Sequence, residues 1–293
     1  MPAVASPAPF IVGAARSGTT LLRMMLDAHS QLAIPPETNF QNALRAFERA
    51  GAAAATETIV SGALWGDYNL PAEEFSRRVQ ARRPQSFGDV MRTFFEFYAE
   101  RHDKRRWGNK TPYYVMRMTL IEELLPEARF IHVVRDGRDV ALSTVPVWFG
   151  AGDIAGVAEE WVQTLTSARR QAEHLSFYTE VRYEELVRDP ISALKRICEF
   201  LELEWEPTML DYHRDSAGRL AAELGDVREM GRIVSREERL HIHRLIGRPP
   251  QADRAERWRR EMSAAEVRAF EEIAADTLQA FSYELASARA VRS

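Results

Sequence analysis

The residues best suited to chemistry lie in Phe10–Thr20, FIVGAARSGTT, where a short apolar run enters a loop bounded by glycines and opens into an amphipathic helix. Main-chain N–H groups at a helix start are unpaired and lie at the positive end of the helix dipole, so such a loop cradles an oxyanion. Gly13, four residues, Gly18, Thr19 and Thr20 fit the phosphate-binding frame G-x-x-x-x-G-K-[ST] at every position but one. Thr19 stands where the lysine belongs. That lysine serves the β- and γ-phosphates of a nucleoside triphosphate, so its absence points away from triphosphate hydrolysis. Arg16 supplies a different cation, planar and permanently charged, suited to a two-pronged grip on an oxyanion. The plain alternative is a strand-to-helix turn with no ligand.

A second anion site is readable in Phe130–Thr144, FIHVVRDGRDVALST. The apolar run predicts a buried strand ending at Arg135, with a helix beginning at Asp136 or Gly137 and reaching Ser143. Two turns of helix at about 3.6 residues per turn return the serine to the face it left, so Arg135 and Ser143 can share one phosphate. The competing reading makes Arg135, Asp136, Arg138 and Asp139 a solvated network of ion pairs.

Together these motifs resemble the sulfotransferases that use 3′-phosphoadenosine 5′-phosphosulfate (PAPS), most closely the tyrosylprotein branch and its soluble bacterial relatives. LLRMMLDAHSQL at Leu21–Leu32, GNKTP at Gly108–Pro112 and VRYEELVRDP at Val181–Pro190 agree with that family in the same order. The resemblance implies that Arg16, Ser17, Gly18, Thr19, Thr20 and Leu21 hold the 5′-phosphosulfate, that Arg135 and Ser143 hold the 3′-phosphate, and that Tyr183 and Arg257 also contact the nucleotide. It also implies a catalytic trio. Glu37, in PPET and twenty-one residues after Arg16, stands where the family keeps its base; Lys110 and Arg16 stabilise the transferring group and the departing phosphate. Glu37 could otherwise cap a helix beginning near Thr38, Lys110 could be an ordinary surface lysine, and Tyr183 a core aromatic. Two positions depart from the pattern: Asn39 replaces an arginine that helps bind acidic peptide, and Val147 replaces a second arginine for the 3′-phosphate.

The elements that must position these groups alternate between strand and helix. Strands are expected at Ala8–Gly13, Leu32–Ile34, Arg106–Asn109, Arg129–Val134 and Phe177–Arg182. The fold class that follows is α/β, with a central parallel sheet in a three-layer α/β/α arrangement of the phosphate-loop type, and both anion motifs at carboxyl ends of strands. Ser86 with Asp89, Ser235 with Glu238 and Ser263 with Glu266 have capping-box spacing, while Asp189 before Pro190 reads as an N-cap. Periodicity makes Gln41–His102 mostly helical, and it is expected to cover an acceptor pocket. Trp65, Tyr68, Tyr113, Tyr114, Trp148 and Phe149 fit a core better than a pocket wall.

The 293 residues, 45% hydrophobic and without a linker-like stretch, are expected to form one domain, 1–293. A net charge of −4 argues against nucleic acid as a partner, yet 228–260 holds ten arginines against five acidic residues. That tract either closes over the nucleotide or is a solvated face. Cys198, the only cysteine, falls on a buried helix stripe. No basic leader precedes an apolar run and no apolar stretch reaches membrane length, so a cytoplasmic protein without a membrane partner is expected. His241 and His243, two apart on a helix, make a poor chelate, and sulfuryl transfer needs less charge neutralisation than phosphoryl transfer, so no metal is expected. The co-substrate that the resemblance implies is PAPS, and the expected partner is a small-molecule acceptor hydroxyl, phenolic hydroxyls included. A phosphate-loop small-molecule kinase, peptide tyrosine sulfation, a nucleotide-binding protein without turnover and a homodimeric state stay open.

Overall fold

The computed structural model describes residues 6–229 and 231–286; the first five residues of the amino-terminal stretch read above lie outside them. The apolar run Ala8–Gly13 forms β1, buried along its whole length, and the loop after it turns directly into α1 (Thr19–Asp27). After β2 (Leu32–Ala33), the middle stretch is helical: α2 (Gln41–Val60), α3 (Ala72–Arg82) and α4 (Phe87–Arg101), with one 3₁₀ turn, Trp65–Tyr68, between the first two. The short β3 (Arg106–Trp107) and β4 (Asn109–Lys110) lead through a 3₁₀ turn at Pro112–Met116 and α5 (Met118–Leu124) into β5 (Ala128–Val134). Then come α6 (Gly137–Thr144), α7 (Ile154–Ala172), β6 (Tyr178–Arg182), α8 (Tyr183–Arg188) and α9 (Pro190–Phe200). The C-terminal third holds α10 (His213–Glu223), β7 (Val227–Glu229), β8 (Arg232–Val234), α11 (Arg236–Ile242), α12 (Trp258–Glu261) and α13 (Ala264–Ala280).

Four strands make the central sheet in the order β4-β1-β5-β6, every pairing parallel. Side chains alternate across it. Phe10, Val12 and Phe130 enter an apolar cluster built with the middle helices, whereas Ile11, Ile131, Val133 and Val181 enter a second cluster with α1, α8 and α9. A third cluster joins Val134 and Val140 to Trp161 of α7 and Phe270 of α13. The sheet is therefore covered on both faces, as the alternation of strand and helix predicts. Cys198 lies in the second cluster against Met209, and burial pushes its thiol up to about 11.

One predicted strand is divided. Arg106–Trp107 pairs with β2, but Asn109–Lys110 pairs with β1, and the break falls at Gly108, where a side chain would meet Pro9 at 2.7 Å. The three capping boxes form as their spacing predicts, and the Asp189 carboxylate accepts from the Ser192 N–H at 3.1 Å. The hairpin of β7 and β8 has no counterpart among the expected strands.

Inside the first turn of α4, Gly88 approaches the Leu124 carbonyl so closely that an added Cβ would stand 2.0 Å from its oxygen. Backbone cannot swing aside as a side chain does. Gly88→Ala is expected to lower stability by about 1–3 kcal/mol through overpacking, read as a lower urea midpoint at unchanged m-value.

Candidate active site

The loop between β1 and α1 is shaped by backbone conformation before any ligand arrives. Arg16 takes φ 63 and Gly18 takes φ 105, and no side chain caps the start of α1. A side chain at residue 18 would collide with the Tyr183 ring at 2.4 Å, so glycine is required there by space as well as by torsion. The helix start is left with N–H groups free to receive an anion.

Both arginines predicted to grip phosphates reach this point. Arg135 follows β5, donates through Nη1 to the Arg16 carbonyl at 3.2 Å and through Nη2 to the Arg254 carbonyl at 2.9 Å, and lies with its guanidinium 4.2 Å over the Tyr183 ring. Arg16 donates to the Ile242 carbonyl at 3.0 Å. These bonds end on neutral carbonyls, so the positive charge stays largely uncompensated; Asp139, at 3.7 Å from Arg135, is the nearest opposing carboxylate in this group. Burial, then Arg135 and Arg244, push the Arg16 guanidinium down to about 10, which leaves it charged at neutral pH. Arg16 Nε, Ser17 Oγ and Arg135 Nε are buried without a partner among the described residues. Such groups are costly unless something bonds them, and an oxyanion ligand fits that need.

The run Arg135–Asp139 is buried rather than solvated. Arg138 bonds both Asp136 oxygens, at 3.0 and 2.7 Å, and Asp136 caps α6 through the Arg138 N–H. The network builds the strand-to-helix corner that presents Arg135. Ser143 lines the same cavity, its hydroxyl donating to the Asp139 carbonyl at 3.0 Å.

Glu37 and Lys110 form the second part of the site. Lys110 ends β4 with its side chain buried and donates to Glu37 Oε1 at 2.5 Å, while Glu37 is 49% exposed. Burial lowers the Lys110 ammonium and the Glu37 carboxylate offsets part of that. Glu37 does not cap a helix: α2 begins at Gln41 with Phe40 in the N-cap position. Nor is Lys110 a surface residue. Both line one cavity of about 780 Å³ with Arg16, Gly18, Thr19, Thr20, Leu21, Arg135, Ser143 and Tyr183, a volume suited to a nucleotide and a small acceptor.

Arg257 stands apart from the wall of this cavity, paired with Glu261 at 2.9 and 2.5 Å; Arg254, one turn earlier, takes that place. Much of the arginine excess in 228–260 is spent locally: Arg232 pairs with Glu238, and Arg236, Arg244 and Arg260 donate to main-chain carbonyls. The aromatic set divides. Tyr113, Trp148 and Phe149 line the cavity, whereas Tyr68 and Tyr114 belong to the core and Trp65 packs against it.

Several lining residues escape sequence reasoning. Arg23 is held by Glu223, and Arg239 grips Asp67 at 2.5 and 3.0 Å, pairs formed across 200 and 172 positions of chain. His243 also faces the cavity: α11 ends at Ile242, so the two histidines do not share a helix as expected. Burial, with Lys110, Arg16, Arg23 and Arg239 around it, holds His243 well below the usual imidazole range and thus neutral.

The sulfotransferase family model matches residues 7–207. The chain is 28% identical over 224 residues to protein-tyrosine sulfotransferase A of Caenorhabditis elegans, covering 73% of this chain but 54% of that protein, so it spans about half the length of this curated relative. It is 29% identical over 137 residues to the omega-hydroxy-beta-dihydromenaquinone-9 sulfotransferase Stf3 of Mycobacterium bovis, covering 41% of this chain and 35% of that one. Among solved structures, the sulfotransferase domain of the Synechococcus PCC 7002 olefin synthase superposes with a TM-score of 0.62 at 23% identity, covering 97% of this chain and 98% of that domain. With the phosphate-loop fold, the paired arginines and a match spanning well over half its residues, the chain belongs to the sulfotransferase family.

Proposed function

We propose that this protein transfers a sulfuryl group from PAPS to a hydroxyl, phenolic or alcoholic, of a small-molecule acceptor in the cytoplasm, without a metal. The observation that carries the reading is the bond from Arg135 to the Arg16 carbonyl, which brings two oxyanion grips into the cavity that also holds the Glu37–Lys110 pair. The 5′-phosphate lies against the N–H groups of Gly18–Leu21, since the Ser17 N–H expected beside them is taken by the Ala14 carbonyl at 3.2 Å, and the 3′-phosphate lies against Arg135 and Ser143. Arg254 takes the closing role expected of Arg257. In the transfer, Glu37 takes the hydroxyl proton, the acceptor oxygen bonds to sulfur, and the bond from sulfur to the bridging oxygen breaks. The electron pair leaves on 3′-phosphoadenosine 5′-phosphate (PAP), with Arg16 and Lys110 stabilising the charge that develops.

The small-molecule acceptor is supported by the wall itself. Beyond Glu37 it carries Tyr113, Val115, Met116, Trp148 and Phe149, while Glu160 and Glu229 add negative charge that would repel an acidic peptide. Of the stretch expected to cover the pocket, the connection between α2 and α3, not the helices themselves, contributes Leu64 and Asp67 to the wall, and residues of 242–254 line it as well. Among the described residues no group of three or more His, Cys, Asp or Glu is placed to hold a metal, and no helix is long and apolar enough to cross a membrane.

Calorimetry with PAP tests this. PAP is expected to bind equally with and without EDTA, and at least tenfold more tightly than ATP with magnesium; incubation with PAPS and a panel of phenols and alcohols should give products heavier by one sulfuryl group. Tight magnesium-ATP binding with phosphorylated products would replace the reading with a kinase, and PAP binding without any product, with a binding protein.

A further inference from the structure

The turn Trp65–Tyr68 touches both halves of the site, and its Asp67 lies in the cavity wall. Its Tyr68, 3% exposed in the core, donates its hydroxyl to the main-chain carbonyl of Glu37 at 3.0 Å. Asp67, equally buried, accepts both prongs of Arg239, at 3.0 Å on Oδ1 and 2.5 Å on Oδ2, and also receives the Gly225 N–H at 3.3 Å. Arg239 donates in addition to the Gly225 carbonyl at 2.8 Å. Arg239 sits on α11, and that helix ends at Ile242, whose carbonyl takes the Arg16 guanidinium. One turn of chain thus fixes the carboxylate loop by one residue and, by the next, the helix that holds the loop arginine.

The arrangement does not look like stability alone. A carboxylate and a guanidinium removed from water gain little over apolar packing unless their geometry is needed, whereas breaking such a pair is costly. Here the geometry is two-pronged and satisfied on both sides, and it joins segments far apart in the chain. Reacting groups held a fraction of an ångström off position lose large factors in rate.

We propose that Tyr68 and Asp67 are positioning residues for sulfuryl transfer: Tyr68 sets the main chain that carries Glu37, and Asp67, through Arg239 and α11, sets the guanidinium of Arg16. The inference rests on the proposed function, since it assigns those two side chains their work. It separates the two effects. The donor grip depends on Asp67 and not on the Tyr68 hydroxyl; proton removal depends on Tyr68.

Four variants test it: Tyr68→Phe, Asp67→Asn, Arg239→Gln and the double variant D67N/R239Q. Two readouts need no identified acceptor: PAP affinity by calorimetry, and the slow release of sulfate from PAPS with water as acceptor. Tyr68→Phe is expected to leave PAP affinity within about twofold and to slow sulfate release by about tenfold, a change of about 1.4 kcal/mol in barrier. Asp67→Asn and Arg239→Gln are each expected to weaken PAP about tenfold, and the double variant to be no weaker than the worse single one, because both cut the same link. Equal losses of affinity and turnover in Tyr68→Phe, or additive losses in the double variant, would overturn the proposal. So would unchanged values throughout. Tyr68→Phe loses one oxygen and keeps its ring in the core, so it remains decisive where a charge variant fails to fold. Wild-type protein that binds no PAP would sink the proposed function instead.

Discussion

Glu37→Gln is expected to cut sulfuryl transfer by about 10²–10⁴, the range that a positioned general base supplies, while PAP affinity stays within about threefold. The substitution keeps size and shape but cannot take a proton. Its main rival is now visible in the structure: Glu37 could be only the counter-ion of buried Lys110, since Nζ and Oε1 stand 2.5 Å apart. The two roles part in the companion variant Lys110→Met. If Glu37 acts as base, Lys110→Met keeps the carboxylate and retains a base-dependent rise in rate with pH, which Glu37→Gln abolishes. If pairing is its whole task, both variants should fall equally and show the same pH profile. Transfer by Glu37→Gln within about threefold of wild type would remove the base assignment outright.

The second large effect concerns folding. Beneath the cavity Glu223 on α10 receives Arg23 at 2.9 and 2.7 Å and Arg219 at 2.8 Å, with the Tyr98 hydroxyl at 3.4 Å, while Asp27 accepts the Ile34 N–H at 2.6 Å and pairs with Arg219 and Lys104. Glu223→Ala strands the buried Arg23 guanidinium and is expected to cost about 3–5 kcal/mol, read as a lower midpoint in urea. A pH titration gives the complementary reading. Burial alone would raise the Glu223 carboxyl, but Arg23 and Arg219 outweigh it and hold it below its ordinary value of 4.5. A depressed folded value means the contribution is fully present above about 4.5, the unfolded value, and is lost as pH falls toward and through the lower folded one. Wild-type stability should therefore decline below that point, and Glu223→Ala should show a shallower decline. Equal acid slopes would contradict the assignment.

How much of this was legible depends on the range over which each signal acts. Strands β1, β5 and β6 of the main sheet follow from local apolar patterning, and the capping boxes and the Asp189 cap from residues three apart, so sequence and structure agree there to within a residue or two, whereas β4 is two polar residues split from β3 at Gly108. The anion loop was readable because its glycine frame is a local backbone requirement. Glu37 and Lys110 were each readable by resemblance, but their contact spans 73 positions and only the fold creates it. Asp67, Arg239 and His243 left no local trace: WGDY falls inside a stretch whose periodicity reads as mostly helical, and two histidines two apart read as opposite faces until the helix ends between them. Arg254 lines the cavity where Arg257 was expected, and Arg257 pairs instead with Glu261, a contact that its spacing alone does not distinguish from a ligand grip.

The place of β1 in the sheet has a kinetic consequence. Hydrogen-bonded to β4 on one side and β5 on the other, it is an interior strand, whereas the β7–β8 hairpin pairs only with itself. Amides of Phe10–Val12 should exchange with solvent only in the rarest global openings, while those of the hairpin exchange through frequent local fraying. Heat or denaturant would thus loosen the hairpin, which adds Val227 and Glu229 to the cavity wall, well before the strand that leads into the phosphate loop.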